Sequence, residues 1–222
     1  VVVEASPADG RVRRARLTAA GLAERALLDR RSDEFALAVL EPLSEGQRER
    51  LTAAMAEVER LLVASLVTID VADPTGQEAR WCFGQYFAEL NARFDAGFDP
   101  GLSISASAPE LTPPSGLLLI AHLRQEPVAC GALKFHGAAP GELKRMWVAP
   151  RARGIGLGQR LLGELERQAR AHGVGTLRLE TNRNLTSAIA LYRRAGYREV
   201  APFNDEPYAH HWFEKPLRGA GE

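Results

Sequence analysis

From residue 66 onward the apolar positions fall into short blocks with two alternating periods. Largely apolar runs at 66–71, 116–123 and 128–136 have the length of buried strands. The polar spacer Arg124-Gln125-Glu126-Pro127 between the last two predicts a β-hairpin. Phe83, Phe87, Leu90 and Phe94 recur every three or four residues, which predicts a helix over 74–94 despite Gly76 and Gly84. Residues 95–114 read as loop. A strand is expected at 142–149 and a helix at 161–172, carried by Leu161, Leu162 and Leu165 and capped by Gly173. A strand at 176–180, a helix at 186–195 closed by Gly196, and strands at 197–200 and 212–215 complete an α/β order.

Residues 1–65 follow another pattern. A short apolar strand at 1–3, turn residues at 6–10 and a returning strand at 11–17 precede a helix that Thr18 can cap. That helix runs to about residue 40, where Pro42 stops it. Ser44-Glu45-Gly46-Gln47 offers a capping box for a second helix, along which Leu51, Met55, Val58, Leu61 and Leu62 form an apolar stripe that requires a partner surface. Two helices joined by a short turn are too small for a core of their own. The expected division is therefore 1–65 and 66–218.

Composition narrows the function. The 28 basic and 28 acidic residues cancel, so no overall charge draws the chain to nucleic acid or membrane. No apolar run approaches the roughly 20 residues of a membrane span, and no signal peptide is visible. Cys82 and Cys130 make neither a disulfide framework nor a zinc site by spacing, so no metal and a reducing cytoplasm are expected.

The sharpest chemical signal is Val148-Ala149-Pro150-Arg151-Ala152-Arg153-Gly154-Ile155-Gly156-Leu157-Gly158, set between a strand and a helix. Glycine allows left-handed backbone and close ligand approach. The first N–H groups of a helix lack internal partners and lie at its positive end, which makes the turn a seat for a phosphate. A dinucleotide fingerprint would need glycine at Leu161 or Gln159, and a nucleoside-triphosphate loop would need Gly-Lys-Ser/Thr; neither occurs.

What remains, Arg153-x-x-Gly156-x-Gly158 led by Val148-x-Pro150, resembles the acetyl-CoA pyrophosphate loop of the GNAT superfamily of N-acetyltransferases. A second stretch, 177–180 followed by Ala188-Ile189-Ala190-Leu191-Tyr192-Arg193-Arg194-Ala195-Gly196-Tyr197, resembles that family's next strand and helix. The resemblance covers about 66–218. It implies a mixed, mostly antiparallel splayed sheet flanked by helices, with acetyl-CoA as acyl donor. Pantetheine would pair with main-chain groups of Met146, Trp147 and Val148. The pyrophosphate would sit on Arg153, Gly154, Ile155, Gly156, Leu157 and Gly158. Tyr192 would protonate the departing thiolate, and the Val148 N–H would hold the oxyanion. The family's pantetheine-binding Asn falls here on Leu185, with Asn184 and Asn182 nearby but out of register, and of these Asn184 is the candidate ligand.

For the base, Glu142 matches a catalytic glutamate of some members. Unbroken alternation would put Glu142, Lys144, Met146 and Val148 on one face. His136 is a second candidate. Asp205 and Glu206 are candidate ligands for a cationic amine, and His210 or His211 for proton relay. No cysteine lies in either motif, which favours direct attack by a small-molecule amine over an acyl-cysteine intermediate.

The N-terminal pattern Asp9-x-Arg11 with Leu17-Thr18-x-x-Gly21 resembles the wing and following helix of MarR-family winged-helix regulators. That implies a two-helix dimerisation segment and a homodimer. Arg11, Arg13, Arg14 and Arg16 would form the wing. DNA would be read only through a helix-turn-helix lying before Val1, making this chain the C-terminal part of a fused protein. The rival readings are an acyl-CoA-sensing module of such a regulator and a DNA-binding dimer with secondary transferase activity.

Overall fold

Seven of the nine strands join in one sheet, ordered β3-β4-β5-β6-β7-β9-β8. They are β3 (Val67–Ala72), β4 (Gly116–Leu123), β5 (Glu126–His136), β6 (Ala139–Val148), β7 (Thr176–Thr181), β8 (Arg198–Val200) and β9 (His211–Pro216). Every pairing is antiparallel except β6 with β7. The computed structural model describes residues 1–6 and 9–217, and the chain divides into compact units Val1–Val58 and Glu59–Glu222.

In the larger unit, α3 (Gln77–Arg93) and α4 (Leu157–Ala171) both pack on β5 and β6. Successive β5 residues show that the helices take opposite faces. Cys130 meets Cys82 of α3, while a side chain at Gly131 would lie 2.7 Å from Leu165 of α4. Both faces of β4 are thereby covered, and Leu117, Leu118, Leu119 and Ile120 are all buried. This is why the 116–123 block reads as continuously apolar. Leu161, Leu162 and Leu165 bury completely on the inner side of α4, each contributing about 1.5–3 kcal/mol of transfer free energy. The helix α5 (Thr186–Arg194) buries Ile189 and Tyr192.

Several boundaries differ from expectation for local reasons. The hairpin between β4 and β5 turns on two residues, Arg124 and Gln125, both at positive φ (51° and 68°), so Glu126 and Pro127 join the strand. The helix α3 starts at Gln77, because Asp73 and Thr75 hold a turn before it through their hydrogen bonds. Tyr197 precedes β8 and is buried. Most consequential is Arg145, at φ 52°. The β5–β6 register slips there, between Cys130 opposite Trp147 and Ala132 opposite Lys144. This β-bulge breaks the alternation assumed for Glu142, Lys144, Met146 and Val148.

In the smaller unit, β1 (Val2–Ser6) pairs antiparallel with β2 (Asp9–Arg16). Then come α1 (Ala19–Leu40), capped by Thr18 Oγ1, and α2 (Glu45–Ser65), which continues into the larger unit. Gln47 Oε1 accepts from the Ser44 N–H, half of the expected capping box. The 6–10 turn lies partly outside the described residues, as does the Arg11 side chain.

Candidate active site

Parallel pairing of β6 with β7 stops after Gly141–Leu177 and Glu142–Arg178. Beyond it β6 runs on to Val148 and β7 to Thr181, so the strands splay. Backbone groups of Met146, Trp147 and Val148 on that edge have no β7 partner, and they line a cleft of about 440 Å³. Arg153, Gly154, Gly156, Leu157 and Gly158 line it too. Gly154 and Gly156 have φ of 80° and 77°, with open space where a side chain would stand. Gly156 is the N-cap of α4, and among the described residues no hydrogen bond uses the N–H groups of residues 156–159. An open strand edge, left-handed glycines and free helix N–H groups fit the pantetheine and pyrophosphate of a coenzyme A ester. Ile155 does not line the cleft and packs on the core.

Arg153 reaches this cleft already engaged. Its Nε donates to the Val148 carbonyl (2.9 Å) and its Nη2 to Glu89 Oε2 (2.6 Å). Glu89 also accepts from Trp147 Nε1 (2.8 Å) and pairs with Arg93 (2.8 Å). Tyr192, only 5% exposed, lines the same cleft. Burial, and secondarily the Glu180 charge, push its pKa well up, so the phenol stays protonated near neutrality.

A second cavity, of about 80 Å³, adjoins the first; Tyr86, Leu90 and Leu185 line both. Its walls include Phe87, Phe94, Phe98 and Tyr208, and Lys144, Arg145, Glu180 and Glu206 supply its charge. The Glu180 side chain is 9% exposed; Oε1 accepts from Lys144 Nζ, while Oε2 is buried without a partner.

Glu142 lines neither cavity. It is buried in an ion-pair cluster with Arg178 (2.7 Å), Lys144 (3.3 Å) and His136 (3.4 Å). Burial pulls its pKa up, but Lys144 and Arg178 outweigh burial and hold it below the ordinary carboxylate value. That makes it a weak base. Glu206 lines the second cavity, yet its oxygens are occupied by Ser103 Oγ, Ile104 N and Tyr208 N. Asp205 and His210 are exposed and line neither cavity. His211 faces Glu199 at 2.6 Å, also away from both. Asn184 donates to the Arg93 carbonyl and Asp95 Oδ1 rather than lining the cleft. The sequence reading gave no role to Tyr86, Glu89, Arg145 or Glu180. Only Glu180 left a local signal, a charged residue ending an apolar strand just before the second motif.

A splayed sheet whose cleft ends in a helix-borne anion seat, next to a second cavity, defines an acyltransferase that takes a coenzyme A ester. Residues 78–197 match the model of the Acetyltransferase (GNAT) family. The chain is 40% identical over 112 residues to an IAA acetyltransferase of Azospirillum brasilense, covering 48% of this chain and 72% of that protein. It is also similar to a structure described as an acyl-CoA N-acyltransferase from Klebsiella pneumoniae, with 32% identity and a TM-score of 0.55 over 69% of this chain and 99% of that one. A Salmonella typhimurium structure with acetyl-CoA as cofactor shares the fold at 15% identity, with a TM-score of 0.51 over 71% of this chain and 97% of that one. The chain belongs to the GNAT family and is an acetyl-CoA-dependent N-acetyltransferase. No described helix is long and apolar enough to cross a membrane.

Proposed function

We propose that the chain transfers acetyl from acetyl-CoA directly to a primary amine of a small molecule held in the second cavity. One juxtaposition carries this reading. The two cavities meet at Tyr86, Leu90 and Leu185, with the free carboxylate oxygen of Glu180 in one and the Tyr192 phenol in the other. Glu180 takes a proton from the substrate ammonium. The freed lone pair forms a C–N bond to the thioester carbonyl carbon, whose oxygen is held by the Val148 N–H. The C–S bond breaks with its electron pair on sulfur, which takes the Tyr192 proton to give the thiol. The second nitrogen proton restores the phenol, and Glu180 releases its own to solvent. Met146–Val148 and the 153–158 loop hold the acyl donor.

The test is thiol release from acetyl-CoA across amino acids, alkylamines, polyamines and aminoglycosides, repeated with Glu180→Gln. The expected loss in kcat is about 10²–10⁴-fold, with acetyl-CoA affinity retained. Acetyl-CoA binding without thiol release from any amine favours an acyl-CoA sensor instead.

For residues 1–65 we infer a wing followed by dimerisation helices. Its support is the element order, an antiparallel hairpin and then two helices. Further support comes from exposed Leu28, Phe35, Leu37 and Met55 in those helices, apolar area of the kind that marks an interface. Sedimentation of the chain as a monomer overturns it.

A further inference from the structure

Two residues that line the second cavity each carry a buried polar atom with no hydrogen-bond partner among the described residues, and their charges are opposite. One is Glu180 Oε2; the other is Arg145 Nε. The other charged groups there have partners, Glu206 accepting from Ser103 Oγ, Ile104 N and Tyr208 N. Lys144 lies between Glu142 and Glu180, and Arg178 pairs with Glu142. Among the cations Arg145 stands apart, because its contacts are neutral. Its Nη2 donates to Ser105 Oγ (2.8 Å) and the Ala106 carbonyl (2.6 Å), and its guanidinium lies 4.2 Å from the centre of the Phe83 ring. Among the described residues no carboxylate forms an ion pair with it. The bulge puts it there: with Arg145 at φ 52°, both Lys144 and Arg145 line the cavity, where strict alternation would send one away. Buried donors and acceptors are paired in nearly every native structure, and a buried cation without a counter-charge is costly. Two such vacancies of opposite sign in one cavity describe a ligand carrying both charges.

We propose that the acceptor is an α-amino acid with a short apolar side chain, its ammonium on Glu180 and its carboxylate on Arg145. The inference rests on the amine-acetylation reading and narrows its substrate class. A zwitterion adds no net charge to a balanced set, whereas a polyamine would add uncompensated cations. The aromatic walls exclude a charged side chain. A volume of about 80 Å³ is below the roughly 150 Å³ that accepts a benzene ring, which favours the shortest side chains, alanine ahead of valine and leucine.

The test compares L-alanine, L-valine and L-leucine with their carboxamides and with ethylamine, isobutylamine and 3-methylbutylamine, in thiol release referred to the free-base concentration of each. The amino acids are expected to exceed both analogues in kcat/KM by on the order of 10- to 100-fold, the range for one charge-assisted hydrogen bond. Arg145→Gln should bring that ratio near one with unchanged acetyl-CoA affinity, and Arg145→Lys should restore part of it. If Arg145→Gln does not fold, the wild-type ratios and the Lys variant decide. Alkylamines or amides turned over as well as the amino acids overturn this inference and leave amine acetylation standing. If no amine is turned over while acetyl-CoA binds, amine acetylation fails. Calorimetric binding of L-alanine, but not ethylamine, to the CoA-loaded protein then still supports the zwitterion site, and its absence refutes it.

Discussion

Glu89 is an acidic residue in the cleft that receives a polyanion, and removing its charge should tighten acetyl-CoA binding. Its carboxylate takes Arg153 Nη2 at 2.6 Å, so the guanidinium must leave Glu89, or share itself, to meet a pyrophosphate. The side chains of Arg153 and Glu89 are 39% and 21% exposed, so solvent screens the pair and its worth is about 0.5–1 kcal/mol. Releasing that in Glu89→Gln predicts an affinity gain of about two- to fivefold. Gln still offers an oxygen to Trp147 Nε1, so the indole need not move. The measurement is titration calorimetry with acetyl-CoA at low and high salt, with thermal melts to confirm folding. The gain should shrink at high salt and fall in an Arg153→Gln background, where only the Arg93 guanidinium remains to be released from Glu89. A folded Glu89→Gln protein that binds acetyl-CoA equally or more weakly refutes the reasoning. Arg153 would then be a loop tether rather than a phosphate ligand.

Tyr192→Phe should lower kcat about 10²-fold with little change in acetyl-CoA affinity, and undiminished turnover removes the phenol from the acid role. Gly156→Ala meets no atoms but must adopt φ 77°, costing about 1–2 kcal/mol of stability. Gly156→Asp also places a carboxylate at the anion seat, so only the Asp variant should lose acetyl-CoA binding by more than about tenfold; equal binding by both variants denies the seat. Glu110 accepts from the Ser107 N–H, pairs with Lys134 at 2.9 Å and accepts from Ser107 Oγ, which together depress its pKa from 4.5 to about 2. A depressed carboxylate stabilises the fold above its unfolded pKa, and that contribution disappears as pH falls through the folded one. Wild type should therefore exceed Glu110→Gln by about 1 kcal/mol near neutrality, a value discounted for the exposure of Glu110. Urea denaturation should find the two converging near pH 2, and a gap that persists there contradicts the assignment.

The sequence by itself determined the α/β order, the strand–glycine–helix turn and the second strand–helix motif. These rest on local physics. Apolar periodicity reports which face of an element is covered, and Gly154 and Gly156 stand where the turn demands positive φ. The candidate donor cleft was legible for that reason, being lined largely by one continuous stretch, residues 146–158.

The proposed acceptor side rests on the tertiary structure. Glu142 looked like the base because strict alternation was assumed, and one bulge at Arg145, invisible in residue types, removed that inference. Glu180 meets Lys144 across 36 positions, and Arg153 meets Glu89 across 64. Cys82 and Cys130, 48 positions apart in the chain, come within hydrogen-bond reach in the core. A side chain's charge is written in the sequence, but its partner is set by through-space distance. Here that distance depends on where β6 and β7 part and on how α3 packs across them. Hence the candidate donor motif lies in one segment, while the proposed acceptor site needs segments from α3, β6, β7 and the loop before β9 to come together.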